Sequence, residues 1–258
     1  MMVLQIKNIT KNFGGISALT DVTFHVNEGE IFGLIGPNGA GKTTMFNVIT
    51  NMFAPTSGEV VFSGEKISGE KPYLITEKGI CRTFQNIRLF SQMSVLDNVL
   101  VGGHCRSSSG VLKSVFRTKT QKKEEKQNYD YAQELLELVG LSAYADTIAE
   151  NLAYGQQRRL EIARALASHP KLLLLDEPAA GMNETETDNL FELIKKVQKR
   201  GVTILLIEHD MPFVMKLCDR ITVLNFGKKL AEGTPEEIQS NQEVIEAYLG
   251  SEEDDEIA

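Results

Sequence analysis

Nine consecutive residues, Gly36-Pro37-Asn38-Gly39-Ala40-Gly41-Lys42-Thr43-Thr44, fit the pattern G-x-x-x-x-G-K-[ST]. Glycines at this spacing let a loop curl until its backbone N–H groups point inward at phosphate oxygens. A helix starting directly after the loop adds its partial positive charge to the anion seat. In such a seat Lys42 would bridge the β- and γ-phosphates of a nucleoside triphosphate, and the Thr43 hydroxyl would ligate Mg²⁺. A second group lies far downstream, where the apolar run Leu172-Leu173-Leu174-Leu175 delivers Asp176 and Glu177, followed by Pro178. Asp176 is placed to hold Mg²⁺, directly or through water. Glu177 is left to orient and deprotonate an attacking water. An apolar run ending in two acids says little alone; beside a phosphate loop it says a great deal.

Both groups need a scaffold, and the sequence predicts one. Ile31-Phe32-Gly33-Leu34-Ile35 reads as an apolar strand entering the loop, and residues 42–52 are helix-compatible, with Pro55 and Gly58 beyond them. Leu172–Leu175 and Thr203–Ile207 read as buried strands flanking an amphipathic helix over 184–200, with Leu190, Ile194 and Val197 on one face and Gly201 closing it. Continuous apolar strands alternating with helices indicate a parallel sheet covered on both faces. Earlier, Leu4, Ile6 and Ile9, then Val22, Phe24 and Val26, alternate with polar residues as β-strands do, and residues 58–64 read as a further short strand. Residues 88–150 differ in character: a Ser/Gly segment (107–110), the basic residues Lys113, Arg117, Lys119, Lys122 and Lys123, then Tyr131, Leu135, Leu138 and Val139 at helical spacing. This region is predicted to be an inserted helical subdomain. The two carboxylates and the phosphate loop together predict a P-loop NTPase, and no narrower class.

Bulk properties bound the alternatives. The chain has 258 residues, 42% hydrophobic and 24% charged, ordinary values for a globular protein. A net charge of −8 argues against nucleic acid as the main partner, which calls for a basic face. Cys81, Cys105 and Cys218 lack metal-site spacing and are expected to be small buried hydrophobes in a reducing compartment. The opening MMVLQIKNITKNF has no signal-peptide apolar run, and no stretch approaches the ~20 residues of a spanning helix. Soluble protein, reaching a membrane only through a partner, is the expectation. Residues 251–258, beginning SEEDDE, are expected as a solvated acidic tail.

The residues between and after the two groups narrow the class. Asn151-Leu152-Ala153-Tyr154-Gly155-Gln156 stands where the ATP-binding cassette (ABC) family carries its L-S-G-G-Q signature, and the chain resembles that family over nearly its whole length. Gln85, in Thr83-Phe84-Gln85-Asn86, is similar to the family's Q-loop glutamine. His209 is similar to its switch histidine, Ala180-Gly181-Met182-Asn183 to its D-loop, and Phe13 to the aromatic residue that stacks on adenine. The resemblance implies an α/β fold: a P-loop NTPase (RecA-like) core with an N-terminal antiparallel β subdomain and an inserted α-helical subdomain. Within a single ABC ATPase domain, residues 1–87 and 158–250 would form the nucleotide-binding core with its β subdomain, and 88–157 the helical signature subdomain.

Implied roles follow residue by residue. Glu177, His209, Gln85 and Lys42 would be catalytic. Residues Gly36, Pro37, Asn38, Gly39, Ala40, Gly41, Lys42, Thr43 and Thr44, together with Phe13, would bind ATP, releasing ADP as product. Ala153, Tyr154, Gly155 and Gln156 would close over the nucleotide held by a second subunit. Thr43, Gln85 and Asp176 would surround Mg²⁺. Two departures stand out: Ala153-Tyr154 replaces the usual Ser-Gly, removing a hydroxyl and adding a ring, and Asn183 replaces an aspartate. Each would slow hydrolysis or make this site unequal to one in a different partner.

NLAYGQQRRLEIARAL, DEPAAGMN, LLIEHDM, FQNIRLF and the ending VIEAYLG further resemble one of the two ATPase subunits of high-affinity branched-chain amino acid importers; urea and amide importers share much of this wording. That resemblance implies a second ATPase subunit, two transmembrane permease subunits, an extracytoplasmic solute-binding protein, and a place at the cytoplasmic face of the cell membrane. It favours an unlike ATPase pair, with a like pair open. Two other classes stay open: a non-transport ABC protein, which usually has two cassettes or a long coiled coil, and a P-loop kinase or GTPase, for which the signature segment, Gln85 and His209 would be coincidence. The basic residues of 113–123 run into Glu124 and Glu125 and read best as a solvated helix face. The insertion would dock on a membrane subunit's loop.

Overall fold

In the computed structural model, residues 1–104 and 119–255 are described, with side chains for 1–104 and 123–248. The Ser/Gly segment, Cys105, and the side chains of Lys113, Arg117, Lys119 and Lys122 lie outside that set.

Two sheets organise the chain. Strands β1 (Met2–Phe13), β2 (Ile16–Asn27), β4 (Ser57–Phe62) and β5 (Glu65–Lys66) form an antiparallel sheet in the order β2-β1-β4-β5. The second sheet has the order β10-β9-β3-β8-β7-β6. Its parallel members are β3 (Ile31–Ile35), β6 (Ile80–Arg82), β7 (Leu172–Asp176), β8 (Thr203–Ile207) and β9 (Arg220–Asn225); β10 (Lys228–Gly233) runs antiparallel at one edge.

Side chains alternate across a strand, so a fully apolar strand feeds two cores. Phe32, Leu34, Leu172, Leu174, Leu205 and Ile207 face the antiparallel sheet and α1 (Lys42–Ile49). Ile31, Ile35, Leu173, Leu175, Ile204 and Leu206 face the other core. That second core is roofed by α3 (Val95–Gly102), α4 (Lys119–Leu138), α5 (Tyr154–Leu166), α6 (Glu184–Lys199), α7 (Met211–Leu217), α8 (Pro235–Gln239) and α9 (Gln242–Asp255), while the short α2 (Pro72–Lys78) precedes β6. Leu190, Ile194 and Val197 of α6 are buried, and Gly201 closes that helix at φ 86. Met211 and Met215 pack against this core, and Cys81 and Cys218 are buried.

Two boundaries differ from expectation. Helix α5 crosses the division placed at 157/158, because its buried face from Gly155 to Leu166 is one continuous stripe. Helix α9 runs on to Asp255, five residues into the segment expected as a tail. Among the described residues no helix is long and apolar enough to cross a membrane.

Candidate nucleotide site

The loop leaves β3 at Gly36 (φ 148), where a Cβ would stand 2.1 Å from the Leu224 carbonyl oxygen. At Gly41 (φ 100), before α1, a Cβ would meet the Ala18 carbonyl at 2.8 Å. Only glycine fits both the backbone and the space there. The loop, from Asn38 to Thr44, lines a cleft of about 210 Å³ together with Ala18, Glu177 and His209. Lys42 is buried and donates to the carbonyls of Gly36 (2.6 Å) and Pro37 (2.9 Å). Burial pushes its ammonium pKa down, while Glu177 and Asp176 pull the other way.

β7 carries the two acids to the same end of the sheet. Glu177 has φ 48, and its N–H is held by the Ile207 carbonyl at 2.9 Å. Its carboxylate is gripped on both oxygens: Gln85 Nε2 donates to Oε2 at 2.6 Å and His209 Nε2 to Oε1 at 2.6 Å. Two residues from distant segments, Gln85 and His209, thus converge on the carboxylate of a third, Glu177, beside the phosphate loop.

Other placements are less direct. Asp176 accepts Arg82 Nη2 on Oδ2 at 2.6 Å, both side chains nearly buried, and Arg82 also donates to Asn47 at 2.7 Å. A cation at Asp176 would share that carboxylate with a guanidinium. Ala153, Tyr154, Gly155 and Gln156 do not line the cleft around the loop. They begin α5, where the Ala153 N–H donates to Gln156 Oε1 at 3.0 Å. Tyr154 is 44% exposed, close to Gly181, and its hydroxyl accepts from Arg158 at 3.3 Å. Phe13, at the end of β1 and 43% exposed, is also absent from that cleft; its ring meets Phe53 edge-on at 5.2 Å, with Lys11 Nζ 4.8 Å above it. Asn183 caps α6: its Oδ1 accepts the Glu186 N–H at 3.0 Å, and Glu186 returns the bond at 3.2 Å.

Sequence reading missed three supporting groups. Arg158 is wholly buried and donates to the carbonyls of Phe84 and Gln85, each at 2.6 Å, and to Glu161 at 2.9 Å. Glu161 in turn accepts the N–H groups of Phe84 and Arg88. This buried pair fixes the segment that presents Gln85 onto α5. Glu208 accepts the Ala179 N–H at 2.6 Å and the His209 N–H at 3.0 Å, tying the end of β8 to the turn after Glu177. Burial holds its pKa above the usual carboxylate value despite those bonds. Arg82 is the third. The available signal was charge inside an apolar helical run, as in Arg158 and Glu161 of QQRRLEIARALA.

Comparison with known proteins identifies the family. Residues 19–180 match the family model described as ABC transporter, and 228–254 match one described as branched-chain amino acid ATP-binding cassette transporter. The chain is 47% identical over 249 residues to the high-affinity branched-chain amino acid transport ATP-binding protein BraF of Pseudomonas aeruginosa, covering 96% of this chain and 98% of the relative. It is 45% identical, with the same coverage, to the corresponding protein LivG of Escherichia coli. A crystal structure of the ADP conformation of an ATP-binding cassette of an ABC transporter superposes with TM-score 0.84 at 36% identity, over 97% of this chain and 99% of that one. A dimeric bacterial ABC transporter cassette matches at TM-score 0.75 and 28% identity, over 90% and 98%. The chain belongs to the ABC transporter family, as one of its ATP-binding cassettes.

Proposed function

We propose that this chain is the Mg-ATP-hydrolysing subunit of an importer for branched-chain amino acids. The observation that carries the ATPase reading is the grip of Gln85 and His209 on the two oxygens of Glu177, beside a phosphate loop. A carboxylate aligned on both oxygens is ready to take a proton from water attacking the terminal phosphorus. Lys42 exchanges the Gly36 and Pro37 carbonyls for phosphate oxygens as the nucleotide enters, and loop N–H groups with the α1 N-terminus take the remaining charge. Thr43, Gln85 and Asp176 carry the hard oxygen atoms that suit Mg²⁺ and would hold it. Bound there, Mg²⁺ neutralises charge on the phosphates.

The signature residues Ala153–Gln156 lie away from this chain's own cleft, which fits a role over a partner's nucleotide. The partners are a second ABC ATPase subunit, like or unlike, and two transmembrane permease subunits, through which this chain sits at the cytoplasmic face of the membrane. An extracytoplasmic binding protein supplies solute. Residues 88–157, continued by the rest of α5, act as the helical signature subdomain against the core, and Phe13 stacks on adenine. The solute class rests on likeness to importers of branched-chain amino acids.

The test is reconstitution with those subunits in liposomes. ATP-driven leucine uptake that disappears on Glu177→Gln is the expected result. ATP hydrolysis stimulated by an amide- or urea-loaded binding protein, and not by leucine, would overturn the solute assignment.

A further inference from the structure

Asp176 and Glu177 carry four carboxyl oxygens, and three of them are engaged by this chain's own side chains. Gln85 and His209 hold both oxygens of Glu177, and Arg82 Nη2 donates to Oδ2 of Asp176 at 2.6 Å. Among the described residues, no three acids, histidines or cysteines are gathered so that they could hold a metal ion. The chain by itself therefore offers little to a divalent cation, which for Mg²⁺ demands an octahedral shell of oxygens.

Arg82 is firmly placed. Its side chain and that of Asp176 are nearly buried, and its Nη1 donates to Asn47 Oδ1 of α1 at 2.7 Å. The guanidinium also stands over the rings of Phe46 and Phe84, 5.4 Å and 5.1 Å from their centroids. Its positive charge offsets the Asp176 carboxylate where water screens little, so a second cation approaching that acid is repelled strongly. A nucleotide changes the balance, because its phosphates bring several negative charges and oxygens of their own. We propose that Arg82 is a built-in counter-ion that makes the cation site conditional on nucleotide. Its guanidinium keeps Mg²⁺ off Asp176 until phosphate charge outweighs it, so the metal enters with ATP. This rests on the reading of the loop and Asp176 as a Mg-ATP seat.

The experiment titrates the full chain and its Arg82→Gln and Arg82→Lys variants with Mn²⁺, with and without ATP. Ultrafiltration gives the Mn²⁺ retained by the protein, and circular dichroism shows that each variant is folded. The parental chain is expected to retain Mn²⁺ with ATP and to bind it at least about tenfold more weakly without. Arg82→Gln keeps a donor for Asp176 and loses the charge; its affinity without nucleotide should tighten about ten- to a hundredfold. Arg82→Lys keeps the charge and should stay parental, and it carries the test if Arg82→Gln does not fold. Adding Asp176→Asn to Arg82→Gln should abolish the gain. Unchanged affinity in Arg82→Gln, tightening in Arg82→Lys, or a gain that survives Asp176→Asn would each overturn the inference. A parental chain that retains no Mn²⁺ even with ATP would instead sink the Mg-ATP reading, and this one with it.

Discussion

The N-termini of α1 and α5 stand behind the phosphate loop and the signature turn, and they are finished differently. Helix α1 follows a left-handed Gly41, carries no side-chain cap and no acid in its first turn, and keeps a buried lysine at its head. Helix α5 closes on itself: Gln156 caps the Ala153 N–H, and one turn later Arg158 is committed to Phe84, Gln85 and Glu161. An uncapped N-terminus with a lysine is an anion seat complete within one chain. The self-capped one, with Ala153 in place of a hydroxyl residue and an exposed Tyr154, uses Gln156 on its own first turn and Arg158 on the backbone of Phe84 and Gln85. Within this chain the first end opens on the cleft, and the second is tied to the segment that presents Gln85.

Substitutions can break that contrast, the largest expected effect first. Arg158→Met leaves Glu161 buried and unpaired and is expected to cost about 3–5 kcal/mol in denaturant unfolding. Arg158→Met with Glu161→Leu should recover most of the stability while hydrolysis stays low, because the Phe84 and Gln85 carbonyls have lost their donor. Recovery of both would show that α5 positions nothing.

Lys42→Met should weaken ATP binding by about ten- to 150-fold, the value of a charge-assisted hydrogen bond to phosphate, in equilibrium titration. Its effect on the free protein has the opposite sign. A lysine held below its usual 10.5 adds stability that is fully present above that value and lost as pH falls through the lowered one. The charged form is therefore a burden at neutral pH, and Lys42→Met should leave the nucleotide-free Tm equal or higher while ATP no longer raises it. Tyr154→Phe removes only the 3.3 Å contact with Arg158 and is expected to change stability by about 0.5 kcal/mol.

Legibility in the sequence followed the range of the interactions. β3, β7 and β8 were readable because a strand buried on both faces is apolar throughout, and the phosphate loop because its glycines answer local demands at Gly36 and Gly41. Gln85 and His209 were found through resemblance; nothing in their spacing says that both end on Glu177. Arg82, Arg158 and Glu208 were missed because what they do is set by approach across the fold. Arg82 meets Asp176 from 94 positions away, and Arg158 meets Phe84 from 74. Asn183 was flagged as a departure from the D-loop, and its place as the cap of α6 became visible only with Glu186 beside it.

The central claim is that the carboxylate held by Gln85 and His209 drives hydrolysis at a loop that binds ATP without it. Glu177→Gln in the otherwise unaltered chain, assayed for Mg-ATP binding and single-turnover cleavage together, tests this most directly. The account requires binding near the parental Kd with cleavage slowed about 10²- to 10⁴-fold. Cleavage at the parental rate by a variant that binds ATP normally would contradict it.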